Sequence, residues 1–188
     1  MIRTDGVEAC RRVRVESDPW LPLAVRWGDD APAPLLRLWV ADRALGYAEV
    51  AVGRDSGALR RLVLIDLPGP AGREAGPLAP GRRDVVPVLD RAMWPWRHTP
   101  DYREPARDDV DVVGELSCSV TDERFTVRLA DGPVYELLPV GAVRVGVAAD
   151  GGLLRVDVPL TSVDAGWRTT WAQRHGTRTR PDEGATGA

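Results

Sequence analysis

The chain has 188 residues, of which 44% are hydrophobic and 28% charged, and a net charge of −3. That length and balance suit a globular protein with a core of its own, and no apolar run approaches the roughly 20 residues of a membrane-spanning helix. The acidic balance offers no general attraction to nucleic acid; all 25 basic residues are arginine, whose planar fork suits pairing with carboxylates.

In chain order, Met1 to Glu8 carries no apolar stretch of the signal-peptide kind, so a cytoplasmic location is expected. Cys10 and Cys118 lie far apart without metal-type spacing and read as free thiols in a reducing compartment. Five strands follow at about 13–16, 21–27, 35–40, 47–53 and 58–66. Leu21, Leu23, Val25 and Trp27 alternate with Pro22, Ala24 and Arg26, and Leu36, Leu38 and Val40 alternate with Arg37 and Trp39. Such alternation marks a strand with one buried face. Leu62-Val-Leu-Ile65 is continuously apolar and predicts a central strand covered on both sides.

Residues 68–111 differ in character. Gly69 to Gly81 is rich in Gly and Pro and reads as a flexible loop; Arg83 to Asp90 reads as a short extended piece. Met93-Trp-Pro-Trp-Arg-His98 reads as a single turn or loop. A second set of five strands is predicted at about 112–119, 123–129, 133–138, 142–148 and 152–160. Asp164 to Trp171 predicts a short final helix that packs Trp167 and Trp171. Residues 172–188 lack apolar periodicity and are expected to be disordered.

One passage occurs twice. At a constant shift of 95 residues, Val50, Val52, Asp55, Gly57, Leu59 and Arg60 meet Val145, Val147, Asp150, Gly152, Leu154 and Arg155. Each copy reads as strand, Asp-Gly turn and strand. Short gaps favour antiparallel hairpins. The expectation is therefore a mainly β fold of about ten antiparallel strands. Two related five-stranded meanders (13–66 and 112–160) would form one domain over 1–171, a sandwich or a barrel. The turn residues themselves are assigned to structure.

Function is sought where the halves do not match. Trp94, Trp96, Arg97, His98 and Tyr102 form the densest aromatic cluster, of a composition common among interface anchors; both indoles packing over the open end of the sheets is the competing reading. Asp108, Asp109 and Asp111 read as a solvated acidic loop that steers a basic partner. Calcium-loop spacing is absent, as are phosphate-binding glycine motifs. A triad would need His98 to reach Ser117, Cys118 or Ser119, and no G-x-S-x-G motif supports it. The sequence thus points to a non-catalytic protein-binding module of a bacterial cytoplasm, immunity- or adaptor-like, with no cofactor, metal, membrane or nucleic-acid partner. A β-barrel carrier of a small apolar ligand, with weak enzymatic activity at most, is the alternative.

Overall fold

A computed structural model describes residues 1–29, 34–42, 46–71, 79–97 and 107–175. The chain begins with β1 (Thr4–Ala9), β2 (Val13–Asp18), β3 (Leu21–Trp27), β4 (Leu35–Ala41), β5 (Tyr47–Gly53) and β6 (Leu59–Asp66). β7 (Ala79–Pro80), β8 (Val85–Leu89) and a 3-10 turn at Arg91–Met93 follow. β9 (Asp109–Val113), β10 (Ser117–Val120), β11 (Arg124–Arg128), β12 (Glu136–Val140), β13 (Val143–Val147) and β14 (Leu153–Pro159) complete the strands. A second 3-10 turn, Leu160–Ser162, leads into the helix α1 (Ala165–His175).

The strands build two six-stranded sheets and a two-stranded ribbon, β1 with β8. The first sheet has the order β2-β3-β6-β5-β4-β9, the second β10-β11-β14-β13-β12-β7. Strand by strand, the two copies of the repeat take matching places. Within each, three strands form an antiparallel meander (β4-β5-β6 and β12-β13-β14), and the leading hairpin joins its last strand. The sheets stay separate, so the arrangement is sandwich-like and not a closed barrel.

Alternation explains the core. Leu36, Leu38, Val40, Val50, Val52, Leu62 and Leu64 point inward from the first sheet; Val127, Leu138, Val145, Val156 and Val158 do so from the second. All are fully buried, in one apolar cluster that draws on both sheets. Each such side chain contributes about 1.5–3 kcal/mol by leaving water. β6 is central, as its apolar run predicts, but only one of its faces is sealed: Val63 is half-buried and Ile65 is 37% exposed.

The segment between the halves is less loose than its composition predicts. Ala71 N donates to Cys118 O (2.7 Å) and Cys118 N to Gly69 O (2.9 Å), pinning the start of the segment to the β10 edge. β7 lies parallel on β12, and β9 lies parallel on β4. The acidic stretch read as a solvated loop is therefore the edge strand of the first sheet. The single strand predicted at 112–119 is two strands, broken at Gly114–Leu116 and assigned to different sheets. α1 also runs to His175, past the Trp171 boundary at which disorder was expected; Ala172, Gln173 and Arg174 are good helix formers that extend it, while Trp167 and Trp171 pack against the core as predicted. The rest of that tail, 176–188, lies outside the described residues.

The repeated turns grip the ribbon. Leu89 N donates to Gly57 O (2.9 Å), so the β5–β6 turn holds β8. Thr4 N donates to Gly151 O (2.8 Å) and Leu153 N to Ile2 O (2.8 Å), so the β13–β14 turn holds the β1 end. Gly57 (φ 73°) and Gly151 (φ 82°) occupy the left-handed region. A Cβ there would sit 2.8 Å from Leu89 O or 2.7 Å from Thr4 O. Gly57→Ala and Gly151→Ala are each expected to lower the unfolding free energy by about 2 kcal/mol in urea denaturation. Gly69→Ala, where an added Cβ meets nothing within 4 Å, is expected to change it by less than about 0.5 kcal/mol.

Candidate functional site

The structure separates the residues singled out in sequence into two neighbourhoods. Trp94, Trp96, Arg97 and Asp108 stay together. Arg97 N donates to Arg107 O (3.0 Å) and Arg107 N to Arg97 O (2.8 Å), so the two legs of the insertion run antiparallel. Arg54, in the turn after β5, ties both legs down. Its guanidinium pairs with the Asp108 carboxylate, and its carbonyl accepts from Arg91. Asp90 caps the 3-10 turn by accepting from Ala92 N at 3.0 Å. Trp94 and Trp96 are half-buried and packed against the core, their rings 5.9 Å apart at 58°. They combine the two readings, with one part of each indole in the core and one part on the surface. His98 and Tyr102 lie outside the described residues.

Asp109 and Asp111 sit elsewhere, on the outer face of the first sheet. The register aligns Arg14, Arg26, Arg61, Ala51, Arg37 and Asp109 across all six strands. The next row is Glu16, Ala24, Val63, Glu49, Trp39 and Asp111. Arginines would repel one another along such a row, and neighbouring acids offset them. Arg61 Nε donates to Glu49 (2.8 Å), Arg26 lies 3.6 Å from Glu16, and Arg37 lies 3.4 Å from Asp109. Beside these pairs Trp39 stacks on Tyr47, centroids 5.6 Å apart and planes at 11°. Val113, at the end of β9, is 78% exposed. This face joins an aromatic stack, an exposed aliphatic side chain and balanced charge.

Trp39, Tyr47 and Val113 were not among the sequence candidates. The signal was available for Trp39: it falls on the polar side of the Leu36–Leu38–Val40 alternation, where a strand with a wet outer face has no use for an indole. Trp20, at the β2–β3 hairpin tip, is 92% exposed.

The matching face of the second sheet is built differently. Its rows are Ser117, Arg128, Arg155, Gly146, Leu137 and Ser119, Thr126, Asp157, Arg144, Pro139. Asp157 is fully buried although it points away from the core, and Thr126, Arg128 and Arg155 are buried with it. Asp157 accepts from Thr126 Oγ1 (3.0 Å) and Arg144 Nε (3.1 Å), and Arg155 Nε lies 3.2 Å away. In equivalent positions, Arg26 is exposed and Arg128 is buried. The second outer face thus buries three charged residues, Arg128, Arg155 and Asp157, and the first buries one, Glu49.

Of the candidate nucleophiles, Cys118 is wholly buried, and its thiol is pushed far above its ordinary range by that burial and, secondarily, by the Asp42 carboxylate. A thiol held neutral is a poor nucleophile. Ser117 and Ser119 are half-buried on the second sheet's outer face. No group of three or more His, Cys, Asp or Glu among the described residues is placed to hold a metal ion. A groove of about 580 Å3 opens at the rim between Asp42, Val113–Leu116 and Leu129–Asp131. No protein-family model matches the chain, and no curated protein matches it.

Two outcomes follow. Arg54→Ala removes the tie between the two insertion legs and is expected to cost about 1–2 kcal/mol; the amides of Arg97 and Arg107 should then exchange faster than those of β5 and β6. For Cys118 the folded state favours the neutral thiol. The stability this contributes is complete below the ordinary thiol value of 9.0 and is lost progressively as pH rises above it. Denaturation as a function of pH is expected to show an alkaline decline that Cys118→Val reduces.

Proposed function

We propose that this chain is a non-catalytic protein-binding module, adaptor- or immunity-like, that engages its partner through the outer face of the first sheet and the insertion edging it. The observation that carries this reading is the unequal treatment of two matching faces. The second sheet buries Asp157, Arg128 and Arg155 on its outer side, whereas the first leaves Trp39, Tyr47 and Val113 accessible among charges of which only Glu49 is buried. Aromatic and arginine side chains grouped with balanced acids have the make-up of a recognition surface. Four arginines facing four acids leave no excess charge there (Arg14, Arg26, Arg37 and Arg61 against Glu16, Glu49, Asp109 and Asp111), which favours a protein over a polyanion. The half-buried Trp94 and Trp96 lie on a leg that Arg54 ties, through Arg91 and Asp108, to the start of β9.

A cytoplasmic location fits the two free, buried cysteines, Cys10 and Cys118. No helix among the described residues is long and apolar enough to cross a membrane. The carrier alternative gains no supporting observation: fully buried aliphatic side chains occupy the inner faces, and the rim groove bears Asp42, Glu115 and Asp131.

A photocrosslinking residue at Val63, on the outer face of the first sheet, tests the proposal in lysate of the source cells. The expected result is a discrete crosslinked species that disappears in Trp39→Ala/Tyr47→Ala, while the same probe at Ser119, on the other sheet, yields none. Equal or absent crosslinking from the two positions would contradict it.

A further inference from the structure

The edge of the first sheet carries more information than its face. Arg37 N donates to Asp108 O (2.7 Å) and Gly114 N donates to Ala41 O (2.9 Å), at the two ends of β9. Backbone groups alternate sides along a strand. The even residues of β9, Val110 and Val112, therefore bond to β4, while the N–H and C=O groups of Asp109, Asp111 and Val113 point away from the sheet. β9 is terminal in the sheet order, with no strand beyond it among the described residues. Its side chains alternate in the opposite sense: Val110 and Val112 face inward and are half-buried against the core, and Asp109 and Asp111 stand exposed on the outer face.

We infer that this edge accepts an extended segment of a partner protein, with basic residues alternating with apolar ones, as one further strand of the first sheet. The inference rests on the protein-binding reading above and specifies its mode. An incoming strand would satisfy the outward backbone groups of three residues, as strand addition does at other exposed sheet edges. Its apolar residues would continue the core beside Val110 and Val112, and its basic residues would lie opposite the acids. Asp111 has no cationic partner among the described residues; Asp109 has only the half-buried Arg37 at 3.4 Å. A second copy of this chain is a poor occupant, because two-fold pairing about Asp111 sets carboxylate against carboxylate. β2, at the other end of the sheet, is less open: Ser17 Oγ accepts from Asp164 N (2.9 Å), and Asp18 O accepts from Trp167 Nε1 (2.6 Å).

The probe is a fluorescent peptide with three arginines alternating with three valines, compared with a peptide of the same composition with its arginines grouped. Fluorescence polarisation is expected to give binding about ten-fold tighter for the alternating peptide. Asp111→Pro and Val113→Pro each remove one outward N–H and no bond to β4; each, once shown to be folded by circular dichroism, is expected to weaken binding about ten-fold. Asp111→Asn, which keeps the backbone donor, should lose less. In the wild-type chain the peptide should slow amide exchange at Asp109, Asp111 and Val113. Equal binding of the two peptides, or proline variants that bind like wild type, would overturn strand addition. Crosslinking from Val63 that persists in the proline variants would likewise reject this mode, while leaving the protein-binding reading intact.

Discussion

Everything in this molecule depends on one constraint: each half of the chain makes a sheet with an aliphatic face that only the other half can cover. Leu36, Leu38, Leu62 and Leu64 on one side and Leu138, Val145, Val156 and Val158 on the other are all at most 1% exposed. A five-stranded sheet alone would present that entire row to water, at a cost of about 25 cal/mol per Å2. The ribbon of β1 and β8 and the segment carrying β7 and β9 make the association intramolecular. Each repeated turn holds one strand of the ribbon, both at the end where Thr4 pairs with Leu89, and each sheet receives one parallel edge strand from the connecting segment. What reads in sequence as an inserted loop supplies strands to both sheets.

Closure is unequal. In the second sheet the outward-facing Asp157 is wholly buried with Thr126 and Arg155, the β10 edge is met by Ala71, and the opposite edge is the two-residue β7. Removing a single member of such a buried charge group is destabilising, because it leaves the others without compensation. In the first sheet only the Arg61–Glu49 pair is largely withdrawn from water; the Arg26–Glu16 and Arg37–Asp109 pairs stay at the surface, where each is worth little. Its outer face is therefore free to be specified by something other than stability. That freedom is the physical basis for locating recognition there, on Trp39, Tyr47 and the open edge of β9.

Much of the fold was legible in the sequence because burial on one face imposes a period of two. The strands β3 to β5, β11, β13 and β14 lie where alternation predicts them, β6 lies where its continuous apolar run does, and the repeated Asp-Gly passages mark equivalent turns. The misses have physical causes. β1 contains Asp5, Gly6 and Glu8 and has no periodic pattern; it is a strand because β8 pairs with it. β9 does alternate, Asp-Val-Asp-Val, but its acid content suggested a loop, and its pairing to β4 is a contact across more than 70 residues (Arg37 with Asp109). The candidate site was only partly legible for the same reason. Proximity in sequence grouped Asp109 and Asp111 with Trp94, whereas the β9 register groups them with Arg37 and Trp39.

Native-state amide exchange of the isolated protein tests the central claim, that two sheets form one cooperative body left open along β9. The account predicts that the slowest amides of β5, β6, β13 and β14 open with one common free energy. Along β9, Val110 and Val112 should be protected, and Asp109, Asp111 and Val113 should exchange freely. Two different opening free energies for the two sheets, or uniform protection along β9, would contradict it.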